Sequence, residues 1–219
     1  MALRNATANS RVKETRADNI SDAVAALGRG DVIVFPTETL YGLGADALNF
    51  TAVEKVFQLK GREPNNPFPV LVADRSMLNS LVANIPPLAE TLMERFWPGP
   101  LTLVLPARHD IPPPLVNSTG AIGVRISSQP IATEIVRMLG RPVTATSANP
   151  SGQAGAQTLA QARDYFTGKI KIFIDGGALP SQTGSTVAAV AGNKITIIRA
   201  GEIAKSELKK TLGEGVDVE

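Results

Sequence analysis

The side chains best suited to chemistry fall in two clusters far apart in the chain. Lys60-Gly61-Arg62 is followed by Asn65-Asn66-Pro67, and Thr146-Ser147-Ala148-Asn149 is followed by Ser151-Gly152. Each sets anion- or amide-binding groups beside turn residues. An arginine fork can bind two phosphate oxygens while lysine acts as a point charge. Neither cluster holds a side chain that could serve as a nucleophile or strong general base. The pattern predicts a site that binds a polyphosphate and orients reactants without joining the reaction covalently. Arg125 and Arg199 each end an apolar strand pattern, giving four cations at strand or helix ends, which suits a ligand such as ATP. Each feature has a plainer reading: a solvated helix end for Lys60 and Arg62, turn capping for Ser147 and Asn149, and snorkelling for the strand-end arginines.

Several chemistries are disfavoured by what is missing. The only histidine, His109, sits in a loop-like segment far from both clusters, which argues against a Ser-His-Asp hydrolase. No Walker A sequence or paired zinc-ligand spacing is present, so no metal ligands are assigned. The chain has no cysteine, which excludes thiolate chemistry and disulfides and fits a reducing compartment, the cytoplasm. Gly42-Leu43-Gly44 with Ala47 loosely matches a dinucleotide fingerprint. Its distance from Phe35 and from a helix start near Thr51 makes a structural turn the better reading.

The elements that must position these residues alternate between helix and strand. A helix capped by Ser21 runs to about Leu27, and Val32-Ile33-Val34-Phe35 reads as a buried strand. A helix from near Thr51 has Val53, Val56 and Phe57 on its inner face; the same spacing carries Lys60 onto that face at the last turn, with Gly61 as C-cap. Strands fit Phe68 to Val72, Leu101 to Leu105, Ala121 to Ile126 and Pro142 to Thr146. Further strands fit Ile170 to Ile174, Thr186 to Val190 and Lys194 to Arg199, the last two joined by a Gly192-Asn193 hairpin turn. Helices fit Met77 to Val82, Pro87 to Phe96, Pro130 to Leu139, Leu159 to Phe166 and Ala204 to Leu212. The fold class is α/β, a single twisted mixed sheet flanked by helices, and the second cluster lies at a strand exit.

With 219 residues and 43% hydrophobic composition, the chain can bury one sizeable core. Its net charge of +2 sits in residues 1–18, where Arg4, Arg11, Lys13 and Arg16 face only Glu14 and Asp18; the remainder is formally neutral. This predicts a polar basic arm over 1–18, a catalytic domain over 19–203, and a C-terminal helix and tail over 204–219. No apolar leader or membrane-length apolar run is apparent, so no membrane association is expected.

Taken together, the segments from Pro36 to Gly44, Lys60-Gly61-Arg62, Trp97-Pro98-Gly99-Pro100, Val124-Arg125 and Ser147-Ala148-Asn149 resemble the TsaC/YrdC family of L-threonylcarbamoyladenylate synthases over roughly residues 19 to 203. The resemblance implies a YrdC-like fold with a deep, positively charged cavity. It implies formation of threonylcarbamoyl-AMP and pyrophosphate from L-threonine, bicarbonate or carbon dioxide, and ATP with Mg²⁺. The product would pass to partner proteins that modify tRNA. By the same resemblance, Lys60, Arg62, Ser147 and Asn149 stabilise phosphate and carbamate. Arg62, Asn66, Ala121, Ser147, Gly155 and Arg199 would bind ATP, and Thr39, Arg125, Ala145 and Ser185 would bind threonine, with Ala121, Ala145 and Gly155 offering main-chain contacts. Leu71 replaces a histidine found near threonine in many relatives. The length suggests the short, single-domain form.

Two alternatives remain. The basic arm could touch tRNA or double-stranded RNA, making the protein a binding factor, although few aromatic residues are available for stacking. The same pocket could also serve another acceptor, as in carbamoyl-transfer domains of hydrogenase-maturation proteins, which normally lie in longer chains with zinc-finger-like segments.

Overall fold

The structure, a computed structural model, describes residues 14–15, 19–62 and 67–219. Strand β1 (Glu14–Thr15) precedes helix α1 (Ile20–Gly28), which begins after Asn19; Ser21 lies inside the helix and is not its cap. The chain continues through β2 (Ile33–Pro36) and β3 (Tyr41–Gly44) into α2 (Phe50–Lys60). Next come β4 (Val70–Leu71), α3 (Arg75–Asn79), α4 (Pro87–Phe96), β5 (Leu101–Pro106), β6 (Ala121–Arg125) and α5 (Pro130–Leu139). Strands β7 (Val143–Thr144) and β8 (Thr146–Ser147) are separated by Ala145 alone. The remainder is α6 (Leu159–Phe166), β9 (Ile172–Ile174), β10 (Thr186–Ala191), β11 (Lys194–Arg199), α7 (Lys205–Leu212) and β12 (Asp217–Val218).

The expected mixed α/β arrangement is present, but the expected single sheet is two. One has the order β1-β9-β2-β3-β8, the other β12-β11-β10-β5-β6-β4-β7. The segment expected as one strand over Pro142 to Thr146 is where they meet. Val143 and Thr144 pair antiparallel with β4, whereas Thr146 and Ser147 pair antiparallel with β3. Ala145 makes the crossing, its N–H donating to the Pro69 carbonyl at 2.9 Å. Apolar patterning marks such a stretch as extended without specifying which partner each residue chooses.

The first sheet is covered on both faces. Successive residues of a strand point to opposite sides. Accordingly, Ile33 and Phe35 join a small core with Ala23 and Leu27 of α1 and Ile135 and Val136 of α5, while Val34 joins the main core with Val53 and Val56 of α2. Burial on both faces explains why β2 reads as an unbroken apolar run. The expected turn at Tyr41-Gly42-Leu43-Gly44 is instead β3, paired antiparallel with β2 across a tight connection at residues 37–40. Its glycines accommodate Phe35: a Cβ would lie 3.3 Å from that ring at Gly42 and 2.8 Å at Gly44. Glycines that read locally as a turn thus keep the strand flat against an aromatic ring.

The Gly192-Asn193 hairpin forms as expected between β10 and β11, with Gly192 at φ 57°. Residues 204–219 contribute α7, which packs on α4, and β12, which adds an edge strand beside β11. In the arm, Glu14 and Thr15 pair parallel with β9; Arg4, Arg11, Lys13 and Arg16 lie outside the described residues.

Candidate functional site

Lys60 is delivered to the site by helix periodicity. Val53, Val56 and Phe57 bury the inner face of α2, Lys60 follows on that face, and Gly61 ends the helix in the left-handed conformation at φ 59°. Asn49 caps the other end by accepting from the Ala52 N–H at 3.2 Å. The buried Lys60 Nζ donates to the Ser147 carbonyl at 2.7 Å and to Asn149 Oδ1 at 3.3 Å, and stands 3.5 Å from Ser147 Oγ. The Ser151 N–H returns a bond to the Lys60 carbonyl at 2.8 Å. Two clusters distant in sequence therefore form one bonded unit.

Strand pairing fixes the second cluster. Gly42 registers with Ser147, and the Ala148 N–H donates to the Tyr41 carbonyl at 2.7 Å. Asn149 Nδ2 donates to the carbonyls of Pro150 and Gln153, each at 2.8 Å, leaving Oδ1 turned to Lys60. Tyr41 is a structural member of this wall. Its hydroxyl donates to the Gly177 carbonyl at 2.8 Å and accepts from the Gly176 N–H at 3.0 Å, and burial pushes the phenol pKa up to about 12.

Beside this unit lie two lobes of a cleft, about 180 Å³ and about 200 Å³, which share Ala145, Thr146 and Arg199. The first lobe brings together Thr39, Ala145, Ser147, Asn149, Gly155 and Ser185. The second adds Arg62 and Ala121. The point where the chain changes sheets is thus the floor common to both lobes. A larger cavity of about 460 Å³ near Arg29, Lys55 and Lys169 contains none of the predicted residues. Arg62, Arg199 and several hydroxyls instead line the two smaller lobes, with the buried Lys60 unit alongside, which makes these the candidate site.

Arg62 leaves α2 with its guanidinium 5.2 Å from the centre of the Phe68 ring, and Phe68 stacks on Phe57 at 4.2 Å. The ring gives the cation a preferred face while leaving its polar edge available. Arg199 donates through Nη2 to the Ser185 carbonyl at 2.7 Å and to Ser185 Oγ at 3.0 Å; Ser185 Oγ also lies 3.0 Å from Thr102 Oγ1. Thr39 Oγ1 is 3.1 Å from Thr37 Oγ1, which donates to the Leu40 carbonyl at 2.7 Å.

These cations feel one another. Burial, then Arg62 and Arg199, lowers the Lys60 pKa to about 8. Burial, then Arg125 and Arg62, also lowers Arg199. Packing like charges without an equal number of acids is unfavourable until an anion arrives, so the arrangement suits a polyanionic ligand.

Some predicted residues stand apart. Arg125 lines neither lobe; it is 4% exposed, with Nη1 3.4 Å from Glu38 Oε1. Both main-chain groups of Ala121 are already paired with Asn117, its N–H donating to Oδ1 and its carbonyl accepting from the Asn117 N–H, each at 2.9 Å. Asn66 lies outside the described residues. Leu71 is buried in the smaller core. Sequence reasoning missed Thr37, Asn117, Gln153 and Thr183 as lining residues and Glu38 as the neighbour of Arg125. Only Thr37 and Glu38 carried a signal, through their place in the segment from Pro36 to Gly44.

Among the described residues no group of three or more His, Cys, Asp or Glu could hold a metal ion, and no helix is long and apolar enough to cross a membrane. The lobes offer cations, hydroxyls and amides, a donor set that does not fit a resident Mg²⁺, which prefers carboxylate and phosphate oxygens.

Residues 25–201 match a family model described as "Sua5_yciO_yrdC: Telomere recombination". A Bacillus subtilis protein named threonylcarbamoyl-AMP synthase is 38% identical over 91% of this chain and 58% of its own length. A Mycobacterium tuberculosis protein named putative threonylcarbamoyl-AMP synthase is 33% identical over 91% of this chain and 92% of its own. The crystal structure of P. abyssi Sua5 complexed with L-threonine superposes with a TM-score of 0.88 at 35% identity, over 94% of this chain and 62% of that one. The chain therefore spans less than two thirds of the B. subtilis and P. abyssi proteins that it matches.

Proposed function

The chain belongs to the Sua5, YciO and YrdC family, and from that premise we propose that it is a threonylcarbamoyl-AMP synthase, joining L-threonine, bicarbonate or carbon dioxide, and ATP with release of pyrophosphate. The observation that carries this reading is the bonded unit of Lys60, Ser147 and Asn149 beside a cleft lined by Arg62 and Arg199. It is a cationic site with hydroxyl and amide donors and no activated nucleophile.

Such a site suits a reaction whose covalent steps occur between substrates. Bicarbonate enters after dehydration to carbon dioxide; the neutral threonine amine attacks its carbon and releases a proton to solvent. A carbamate oxygen then attacks the α-phosphorus, breaking its bond to the bridging oxygen and displacing pyrophosphate. Lys60, Arg62 and Arg199 neutralise phosphate charge, with the Ser147 hydroxyl orienting the oxygens that pass it and Asn149 Oδ1 holding the Lys60 ammonium in place. Thr39, Ala145 and Ser185 form the threonine end, and Arg125, behind Thr37 and Thr39 beside Glu38, is assigned to the substrate carboxylate. Mg²⁺ belongs to this scheme as a counter-ion held by the nucleotide phosphates.

The test is pyrophosphate release that requires all three substrates, with threonylcarbamoyl-AMP identified by mass. Folded protein supplied with Mg²⁺ that forms no adenylate would end this reading. We further propose that the adenylate passes in the cytoplasm to partner proteins that transfer the threonylcarbamoyl group to tRNA. RNA contact, in the second reading, is carried by the basic arm over residues 1–18. Charge reversal there should weaken RNA binding and spare adenylate formation.

A further inference from the structure

The buried ion pair of Arg125 and Glu38 is held at a distance too long for a good hydrogen bond. Arg125 Nη1 and Glu38 Oε1 are each buried without a hydrogen-bond partner, although they stand only 3.4 Å apart. An unsatisfied buried donor and an unsatisfied buried acceptor are both costly, and natural proteins retain such groups where a ligand completes them.

The surroundings hold this pair in place. Glu38 lies at the tip of the β2–β3 connection between Thr37 and Thr39, both of which line the first lobe. Its other oxygen, Oε2, accepts from the Ser127 hydroxyl. Ser127 is itself tied to the start of α5: its Oγ accepts from the Gln129 N–H at 3.2 Å, and its carbonyl accepts from Thr133 Oγ1 at 2.9 Å. On the other side, the Arg125 carbonyl accepts from the Val72 N–H at 3.0 Å at the end of β6. One carboxylate oxygen is thus occupied, and the free one points toward the guanidinium.

We propose that Glu38 is a specificity-determining residue that makes this end of the site select a zwitterionic α-amino acid over a simple carboxylic acid. This rests on the threonine-binding part of the proposed function and goes beyond it. Arg125 alone would attract any carboxylate. With Glu38 beside it the pair is formally neutral, so a bare carboxylate gains little from the arginine and is repelled by the glutamate. A zwitterion carries its carboxylate and ammonium on one carbon, and it can satisfy the Arg125 donor and the Glu38 acceptor together. Discrimination arises because the competitor leaves a buried charged group unpaired.

The experiment is calorimetric titration of the full chain with L-threonine and with 3-hydroxybutyrate, which lacks the amine. The wild-type protein should bind threonine and prefer it to 3-hydroxybutyrate by more than about tenfold, the scale of one hydrogen bond to a charged group. Glu38→Gln should weaken threonine about tenfold while leaving 3-hydroxybutyrate unchanged or improved. Ser127→Ala keeps the Glu38 charge and should retain the preference. Equal weakening of both ligands in Glu38→Gln would reduce Glu38 to a positioning role and overturn the proposal. Should that variant fail to fold, equal binding of the two ligands by the wild-type protein overturns it as well. A wild-type protein that forms the adenylate without discriminating defeats this inference alone. One that does not bind threonine defeats the functional reading and the inference with it.

Discussion

Lys60 Nζ lies 2.7 Å from the carbonyl oxygen of Ser147, a residue 87 positions further along the chain. This contact joins the end of α2 to the strand that leaves the floor of the cleft. It also explains how an ammonium can be 4% exposed: three oxygens of Ser147 and Asn149 replace its water.

Replacing that ammonium should therefore harm chemistry. Lys60→Met keeps the length and apolar stem but leaves Ser147 and Asn149 oxygens without their donor. Pyrophosphate release should fall by about two to three orders of magnitude, the usual loss when one preorganised charge-stabilising donor is removed. Single-turnover kinetics with a circular dichroism check of folding would measure it.

The Lys60 pKa of about 8 sets a pH dependence for nucleotide binding. Phosphate charge favours the ammonium form, so the bound pKa exceeds the free one. Affinity is then greatest below pH 8 and declines as pH rises through that value, with proton uptake on binding in this range. Calorimetry at pH 8.5 in buffers of differing ionisation enthalpy should register the uptake. Folding has its own linkage: the unfolded lysine titrates near 10.5, so between about 8 and 10.5 the unfolded chain holds more protons and this group's contribution to stability rises with pH.

Arg62 and Phe68 make a coupled pair at 5.2 Å. Arg62→Ala should nearly abolish adenylate formation, and Arg62→Lys should recover little because a point charge cannot reproduce the planar fork. Phe68→Leu should raise the KM for ATP a few-fold with a smaller change in kcat, corresponding to about 1 kcal/mol of lost ring interaction. Steady-state kinetics across the three variants would separate these effects.

A backbone test is offered by Gly201. A Cβ there would fall 2.4 Å from both the Ser185 carbonyl carbon and the Thr186 nitrogen, main-chain atoms that cannot step aside. Gly201→Ala should cost about 3 kcal/mol and loosen the Ser185 carbonyl that holds Arg199 at 2.7 Å. Gly28→Ala is the control: it ends α1 with nothing within 4 Å of the added Cβ, and it should be neutral or stabilise by up to about 1 kcal/mol in denaturant melts.

Much of this architecture is legible in the sequence. The face of Val53, Val56, Phe57 and Lys60 was readable because helix geometry repeats every few residues, and α5 begins at Pro130 and ends at Leu139 as its pattern predicts. β3 was misread as a turn because glycine in sequence does not reveal the Phe35 ring that requires it. Arg125 was legible as a strand-end cation and Glu38 as a member of the Pro36 to Gly44 segment, but their pairing was not, since nothing local couples a hairpin tip to the end of β6.

The sequence by itself determined most of the helices, the order of apolar strands, and the residue types able to bind a polyphosphate, because propensity and periodicity act over a few neighbours. It did not determine the bounds of α3, which was expected over Met77 to Val82 and runs Arg75–Asn79. Tertiary structure alone decided that Ala145 is the point where the chain passes between two sheets, that Lys60 meets Ser147 and Asn149 there, and that Arg125 faces Glu38. Those outcomes depend on which of several equally apolar edges a two-residue strand joins. That choice is settled by packing and hydrogen-bond satisfaction across the whole molecule, not by the residues of the strand.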